Sequence, residues 1–230
     1  MIIGSGLLAR AFAPHFHNAQ DVTLFASGVS NSSESSLEAF ARERELLQAA
    51  IAAGPARLVY FGSCNVANPA QLSTYFEHKR AMERLVTAIP GGLVLRLPQV
   101  VGHTPNPHTL TNFLRDRIVA GEPFTIWTRA QRNLIDIDDV VAIGTWLILN
   151  APADERCVSI ATPHSRSMPQ IVRLFEDTLG RKAKVSEEDR GDQMHVDIAR
   201  ASQVAALLGL NMDREDYTAS LIEKYYAPTP

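Results

Sequence analysis

The sequence predicts an α/β fold, a mostly parallel sheet covered by helices on both faces, and three observations predict it. Short apolar runs of strand length alternate with longer helical patterns from the first residue to Leu97. Glycine and proline punctuate the changes of pattern, as at Gly4, Gly54-Pro55 and Gly91-Gly92. No internal repeat or low-complexity linker interrupts the plan, and the connections are too short to separate two independently folding domains.

The elements follow in order. Met1 to Ile3, Gly4-Ser5-Gly6 and Leu7 to Phe12 read as strand, tight turn and helix. Val22 to Ala26 is a second strand, ending in the polar stretch Ser27 to Ser32. Leu37 to Ala53 is a helix whose apolar stripe is Leu37, Phe40, Leu47 and Ile51, stopped by Gly54-Pro55. Leu58 to Phe61 is a buried strand, and a helix follows through Tyr75, Lys79, Met82 and Leu85. Leu93 to Leu97 is the next strand. After Gly102 the texture changes: His103 to His108 holds two prolines, Leu110 to Val119 is helical, and Phe124 to Trp127 is a short strand. Leu134 to Ile137 leads into a helix from Val140 to Leu149, with Asp138 and Asp139 placed to favour its positive N-terminus rather than to form a hydrolytic carboxylate pair. Cys157 to Ala161 is a strand and Met168 to Leu179 a helix ending at Gly180. Two short helical patterns, Ile198 to Leu208 and Tyr217 to Tyr226, close the chain.

Composition excludes several classes of function. With 230 residues, 46% of them hydrophobic, the chain can bury about 70% of its unfolded surface. It therefore needs neither disulfides nor a structural metal. Lys and Arg number 22 against 25 Asp and Glu, a formal charge of -3 without a dense basic tract, so no nucleic-acid or anionic-membrane partner is expected. No apolar run has membrane-spanning length. Cys64 and Cys157 lie far apart, and no cationic, apolar leader opens the chain, so a reducing, cytoplasmic location is expected.

Two constellations carry chemistry. Gly4-Ser5-Gly6, with Ala9 three residues on, fits a turn that brings phosphate against a helix N-terminus, although such a turn also occurs for purely structural reasons. Tyr75 and Lys79, four apart, share one helical face. There the ammonium is expected to stabilise a tyrosinate and let the phenol pass protons near neutral pH, with Ser63 orienting the reacting oxygen. The same spacing also describes an aromatic packed beside a solvated lysine. His78 reads as a peripheral helix residue and Arg10 as a solvated helix arginine rather than a phosphate ligand.

On these residues the chain resembles the extended short-chain dehydrogenase/reductase family, the NAD-dependent epimerase/dehydratase group that acts on nucleotide sugars. Ser63-Cys64-Asn65-Val66 is similar to the family's catalytic serine and the valine that follows it, and Tyr75-Phe76-Glu77-His78-Lys79 to its Tyr-x-x-x-Lys. Leu95 to Gly102 resembles the segment after the sixth strand, with Gln99 where a substrate-contacting Asn is common. Arg132 to Val140 resembles the Arg-Asp-Phe-Ile-His-Val-Asp-Asp-Val signature, whose arginine binds substrate pyrophosphate. The resemblance implies a shortened Rossmann-like parallel sheet with a small C-terminal substrate-binding subdomain. The core is expected in 1–102 and 132–162, the subdomain in 103–131 and 163–230.

It further implies catalytic Ser63, Tyr75 and Lys79. Gly4, Gly6, Ala9, Ser27, Gly28 and Lys79 would hold NAD or NADP, and Gln99, Asn112 and Arg132 the substrate. For Arg132 a structural salt bridge is the other reading. Val22 to Gly28 already resembles a late strand of the dinucleotide half, so the second and third family strands are expected to be missing, and with them adenosine-binding surface. Ser63-Cys64-Asn65 departs from the Thr-Asp-Glu arrangement of 4,6-dehydratases, which leaves ketosugar reduction or epimerisation as the expected activity. The alternative is a non-catalytic nucleotide-sugar-binding or partner-stabilising protein. A homodimer through the sheet-flanking helices is compatible with either.

Overall fold

The computed structural model describes residues 1–68 and 71–228. Its contacts divide the chain into two compact units, the first formed by Met1–Leu97, Ile137–Ile160 and Val196–Leu210, the second by Pro98–Asp136, Ala161–His195 and Asn211–Pro230.

The first unit holds β1 (Ile2–Ile3), α1 (Leu7–Phe16), β2 (Val22–Phe25), α2 (Leu37–Ala52), β3 (Arg57–Ser63), a 3-10 turn over Cys64–Ala67, α3 (Thr74–Thr87) and β4 (Gly92–Leu97). The second unit takes the next run: β5 (Gln99–Val101), α4 (Leu110–Ala120), β6 (Phe124–Trp127), β7 (Gln131–Arg132) and β8 (Leu134–Asp136). The chain returns to the first unit for α5 (Ile137–Asn150) and β9 (Cys157–Ser159). Then come β10 (Arg166–Ser167), α6 (Met168–Leu179) and β11 (Val185–Glu188) in the second unit, α7 (Ala199–Leu207) in the first, and α8 (Tyr217–Tyr226) in the second.

The five strands of the first unit pair in parallel in the order β1-β2-β3-β4-β9. Leu58, Val59 and Tyr60 on β3 and Leu93, Val94 and Leu95 on β4 are all fully buried, the unbroken apolar signature of central strands covered on both faces. In a doubly wound sheet the first strand is central, with two further strands beyond it. Here α1 leads directly to β2, and β1 is an edge among the described residues, so the adenosine-side strands are missing as expected.

α1 runs past the expected end at Phe12 and through Pro14, because Phe12 and Phe16 are both buried and pin its last turn to the core. Gly144 makes room for this: a Cβ there would stand 2.8 Å from the Phe12 ring. On α2 the buried residues are Phe40, Glu43, Leu47 and Ala50. Leu37, expected in the apolar stripe, is 80% exposed. The Ser36 side chain caps this helix by accepting from the Ala39 N–H at 3.2 Å. Ser36→Ala is expected to cost about 1 kcal/mol, read as a lower thermal midpoint; an unchanged midpoint would remove the cap from the account.

The units are bounded differently from the expected division, with residues 161–162 grouping with the second unit and two larger segments also changing place. β5 pairs with β8, Gln99 opposite Leu134, so residues 98–102 and 132–136 group with the second unit. α7 packs on α5 and β9, so 196–210 group with the first. The paired segments β7, β10 and β11 carried no strand signal in the sequence: the first two have two residues each, and β11 is the polar stretch Val-Ser-Glu-Glu, aligned along β6.

Candidate functional site

The glycine turn is built around one position that only glycine fills. Gly4 has φ 124°, and a Cβ there would lie 2.4 Å from the Ala26 carbonyl oxygen, which the β1–β2 pairing holds in place. Gly6, the residue before α1, is different. It is exposed, and a Cβ added to it would meet nothing within 4 Å. It supplies no side-chain cap, and the first turn of α1 carries no acidic residue. The space beside Gly6 is therefore open at the positive end of α1, a fit for a dinucleotide phosphate. Ala9 is buried beneath the turn, and the Arg10 Nη1 donates to the Ser5 carbonyl at 2.9 Å, bracing the loop.

Lys79 is 3% exposed and is not a solvated lysine. Its ammonium donates to Glu43 Oε1 at 3.0 Å and to the Tyr60 hydroxyl at 2.9 Å, and that hydroxyl donates to the same Oε1 at 2.7 Å. The second carboxylate oxygen accepts from the Val29 N–H at 2.7 Å. His78 Nε2 stands 3.1 Å from it, off line for a hydrogen bond, while its ring stacks on Phe40. Gly28 closes the cluster from the loop after β2: a Cβ there would be 2.7 Å from the ammonium and 3.0 Å from Glu43 Oε1. A Cβ at Gly28 would therefore displace Lys79. Ser27 sits half-buried beside it.

These contacts set the electrostatics. Burial works to raise the Glu43 carboxyl, but the Lys79 charge and the hydrogen bonds from Val29, Tyr60 and Lys79 outweigh it and hold the group below the usual carboxylate range. Burial pulls the Lys79 ammonium down, opposed by Glu43, and burial likewise keeps His78 neutral. Tyr75 departs from expectation. Its ring is buried, its hydroxyl makes no hydrogen bond among the described residues, and burial together with the Glu43 charge pushes its phenol up. Lys79 lies 5.8 Å from the Tyr75 ring centroid, but Glu43 offsets its positive charge, so the phenol is a proton donor rather than a stabilised tyrosinate. Ser63 ends β3, and its hydroxyl accepts from the Asn65 N–H at 3.3 Å, leaving its own proton free to orient another oxygen. Burial pushes the neighbouring Cys64 thiol up to about 12 and makes it unreactive.

In the second unit, Arg132 is half-buried on β7 and has no carboxylate within ion-pair distance among the described residues. Its Nη1 donates only to the Gln131 carbonyl, at 2.8 Å. Directly opposite it on β10 stands another arginine, Arg166, which donates to the Glu215 carbonyl at 2.8 Å. Like charges across a strand pair are unfavourable without an anion between them. Gln99 is half-buried on β5. The Asn112 amide is committed to the fold: it donates to the Thr104 and Asn106 carbonyls at 2.9 and 2.8 Å and accepts from the Tyr226 hydroxyl at 2.9 Å. Asn133, next to Arg132, likewise clamps Thr162 through both amide atoms.

Glu43 is the residue of the candidate site that sequence reasoning passed over. The available signal was an acid in the apolar register of α2, three residues from Phe40 and four from Leu47. Among the described residues no cluster of His, Cys, Asp and Glu could hold a metal ion, and no helix is long and apolar enough to cross a membrane.

The comparisons with known proteins agree with this framework. No curated protein sequence matches the chain. Among solved structures, UDP-glucuronic acid 4-epimerase from Bacillus cereus in complex with NAD superimposes with a TM-score of 0.70 at 18% identity, over 90% of this chain and 71% of that one. dTDP-glucose 4,6-dehydratase from Bacillus anthracis in complex with NAD gives 0.67 at 13% identity, over 90% and 72%. RMD from Pseudomonas aeruginosa complexed with NADPH gives 0.69 at 16% identity, over 97% and 98%. At these identities the likeness is one of fold. The family model that describes the NAD dependent epimerase/dehydratase family matches residues 8–161, more than half of the chain and every element from α1 to β9. The chain belongs to the NAD dependent epimerase/dehydratase family.

Proposed function

We propose that this protein is an NAD(P)-dependent nucleotide-sugar oxidoreductase that reduces a ketosugar or epimerises a sugar through a keto form. The observation that carries the reading is the Tyr75 hydroxyl, without a hydrogen-bond partner among the described residues, in the same unit as Ser63, Lys79 and an uncapped glycine turn. A bound nicotinamide dinucleotide supplies or accepts the hydride. Amides of the Gly4 to Ala9 turn hold its phosphates, and Lys79 donates its remaining proton to a ribose hydroxyl. Tyr75 exchanges a proton with the sugar oxygen as the carbonyl and alcohol interconvert, and Ser63 donates a hydrogen bond to that oxygen. Arg132 pairs with the substrate diphosphate, whose charge also relieves the crowding with Arg166. Gln99 belongs with this substrate-binding set, and Asn112 acts from behind by fixing the loop at Thr104 to Asn106. Cys64 and Asn65 offer no ionised acid or base next to Ser63, which favours reduction or epimerisation over dehydration.

The edge position of β1 and the neutralisation of Lys79 by Glu43 favour a second reading, a nucleotide-sugar-binding protein without turnover. The two separate in one experiment. The purified protein is titrated with NAD, NADH, NADP and NADPH by fluorescence or heat, alone and with a panel of nucleotide sugars, and products are weighed by mass spectrometry. The enzyme reading expects binding and a product either two hydrogens heavier or unchanged in mass with altered configuration. Sugar binding without any nicotinamide binding would leave only the second reading. Arg132→Ala is expected to weaken nucleotide-sugar affinity about 10- to 100-fold with dinucleotide affinity unchanged.

A further inference from the structure

We propose that Glu43 is a positioning residue for Lys79: anchored by the Val29 N–H and the Tyr60 hydroxyl, it fixes the ammonium against the Gly28 backbone with two of its three protons engaged and one left for a ligand hydroxyl. The inference rests on the reading of Lys79 as the donor to a nicotinamide ribose, and it adds a residue that neither Tyr-x-x-x-Lys nor the serine motif contains. The geometry is specific. Glu43, Tyr60 and Lys79 form a closed triangle of hydrogen bonds of 2.7 to 3.0 Å on α2, β3 and α3, three separate elements of one unit. An ammonium with so little exposure stays charged only if a counter-charge faces it, and Glu43 is the one carboxylate within ion-pair distance of Lys79 among the described residues.

The groups facing the ammonium are few. α2 contributes Glu43, and Arg44 acts on His78; β3 contributes Tyr60; α3 contributes Tyr75, His78 and, at longer range, Glu83. The loop from Ala26 to Ser30 carries no titratable side chain. Removing the Glu43 charge therefore leaves only Glu83 to favour the protonated form. A consequence follows for binding. One free proton gives a single hydrogen bond where an untethered ammonium could give up to three, so the charge and aim of the ammonium matter more than its number of contacts.

The test uses Glu43→Gln, with Tyr60→Phe as a second variant that keeps the carboxylate should the first fail to fold. Circular dichroism checks folding. The Lys79 methylene next to the ammonium is followed by carbon NMR against pH in the protein without cofactor, assigned by its loss in Lys79→Arg. In parallel, NADH and NADPH affinities are measured from pH 6 to 9. Glu43→Gln is expected to move the Lys79 titration down by at least about one pH unit, a tenfold change in proton affinity. Dinucleotide affinity is expected to fall at pH values above the Lys79 titration midpoint that the NMR reads in the variant, and to recover below that midpoint as Lys79 regains its proton. Tyr60→Phe is expected to shift both in the same direction by a smaller factor. An unchanged Lys79 titration in a folded variant would overturn the proposal, as would an affinity loss identical at every pH, which marks a merely structural role. If the unsubstituted protein binds neither dinucleotide, the ribose reading fails by itself, and the NMR titration decides whether Glu43 holds the ammonium.

Discussion

Tyr75→Phe is expected to reduce turnover at least about 100-fold while leaving dinucleotide affinity and thermal stability near their starting values. The substitution removes one hydroxyl and nothing else. That hydroxyl makes no hydrogen bond among the described residues, so its loss strands no buried partner, and the ring keeps its edge-on contact with Phe76 at 5.1 Å. General acid–base groups contribute about 100- to 10,000-fold, which sets the size of the loss. Burial and the Glu43 charge hold the phenol protonated, so in the direction of ketone reduction the enzyme enters the reaction with its acid loaded, and phenol ionisation should impose no fall in rate between pH 6 and 9. Steady-state kinetics with the substrate found in the titration, alongside a melting curve, check this. Turnover within a few-fold of the parent would defeat the role assigned to Tyr75.

Gly4→Ala and Gly6→Ala, two identical changes two residues apart, are expected to do opposite things. At Gly4 the new Cβ would meet the Ala26 carbonyl oxygen at 2.4 Å and the Ser27 nitrogen at 3.0 Å, on backbone with φ 124°. Those atoms cannot give way easily, because the Ala26 N–H donates to the Ile3 carbonyl at 2.8 Å and ties the strands together. Strain and overpacking together should cost about 3 kcal/mol, read as a lower denaturant midpoint with unchanged slope. At Gly6 the backbone has φ -73° and the added methyl meets nothing within 4 Å, so stability should hardly change. The methyl instead stands where phosphate would approach, and dinucleotide affinity should fall at least about tenfold. Equal stability of the two variants would show that the turn is looser than its geometry indicates. Unchanged affinity in Gly6→Ala would remove the turn from the binding site.

Much of this protein was legible from residue order. Strand and helix alternation is a local property, set by which residues can cover a sheet and which can line one face of a helix, and the observed elements follow it from β1 to β4 and again at α5 and β9. The missing adenosine-side strands were legible too, since α1 leaves too little chain before Val22 for anything to intervene. Where local pattern was weak, reading failed: β7 and β10 have two residues each, and β11 is polar and exposed, so only pairing with a partner strand defines them. The apolar stripe of α2 was read correctly at Phe40 and Leu47 but began one stripe residue too early. Leu37 satisfied the periodicity, yet it lies at the helix start and faces solvent, while Glu43 occupies the buried register.

The residue order by itself determined the α/β class, the glycine turn and the candidate groups Ser63, Tyr75, Lys79 and Arg132, because each is written in spacing along one element or across one turn. Only the tertiary structure decided their electrical state. Glu43, Tyr60 and Lys79 are 17 to 36 positions apart in the chain and meet through the packing of α2, β3 and α3. A lysine's charge, a tyrosine's proton and an arginine's lack of a counter-ion are set by what lies within a few ångströms in a medium that screens poorly. That proximity comes from long-range packing, which no short-range periodicity encodes.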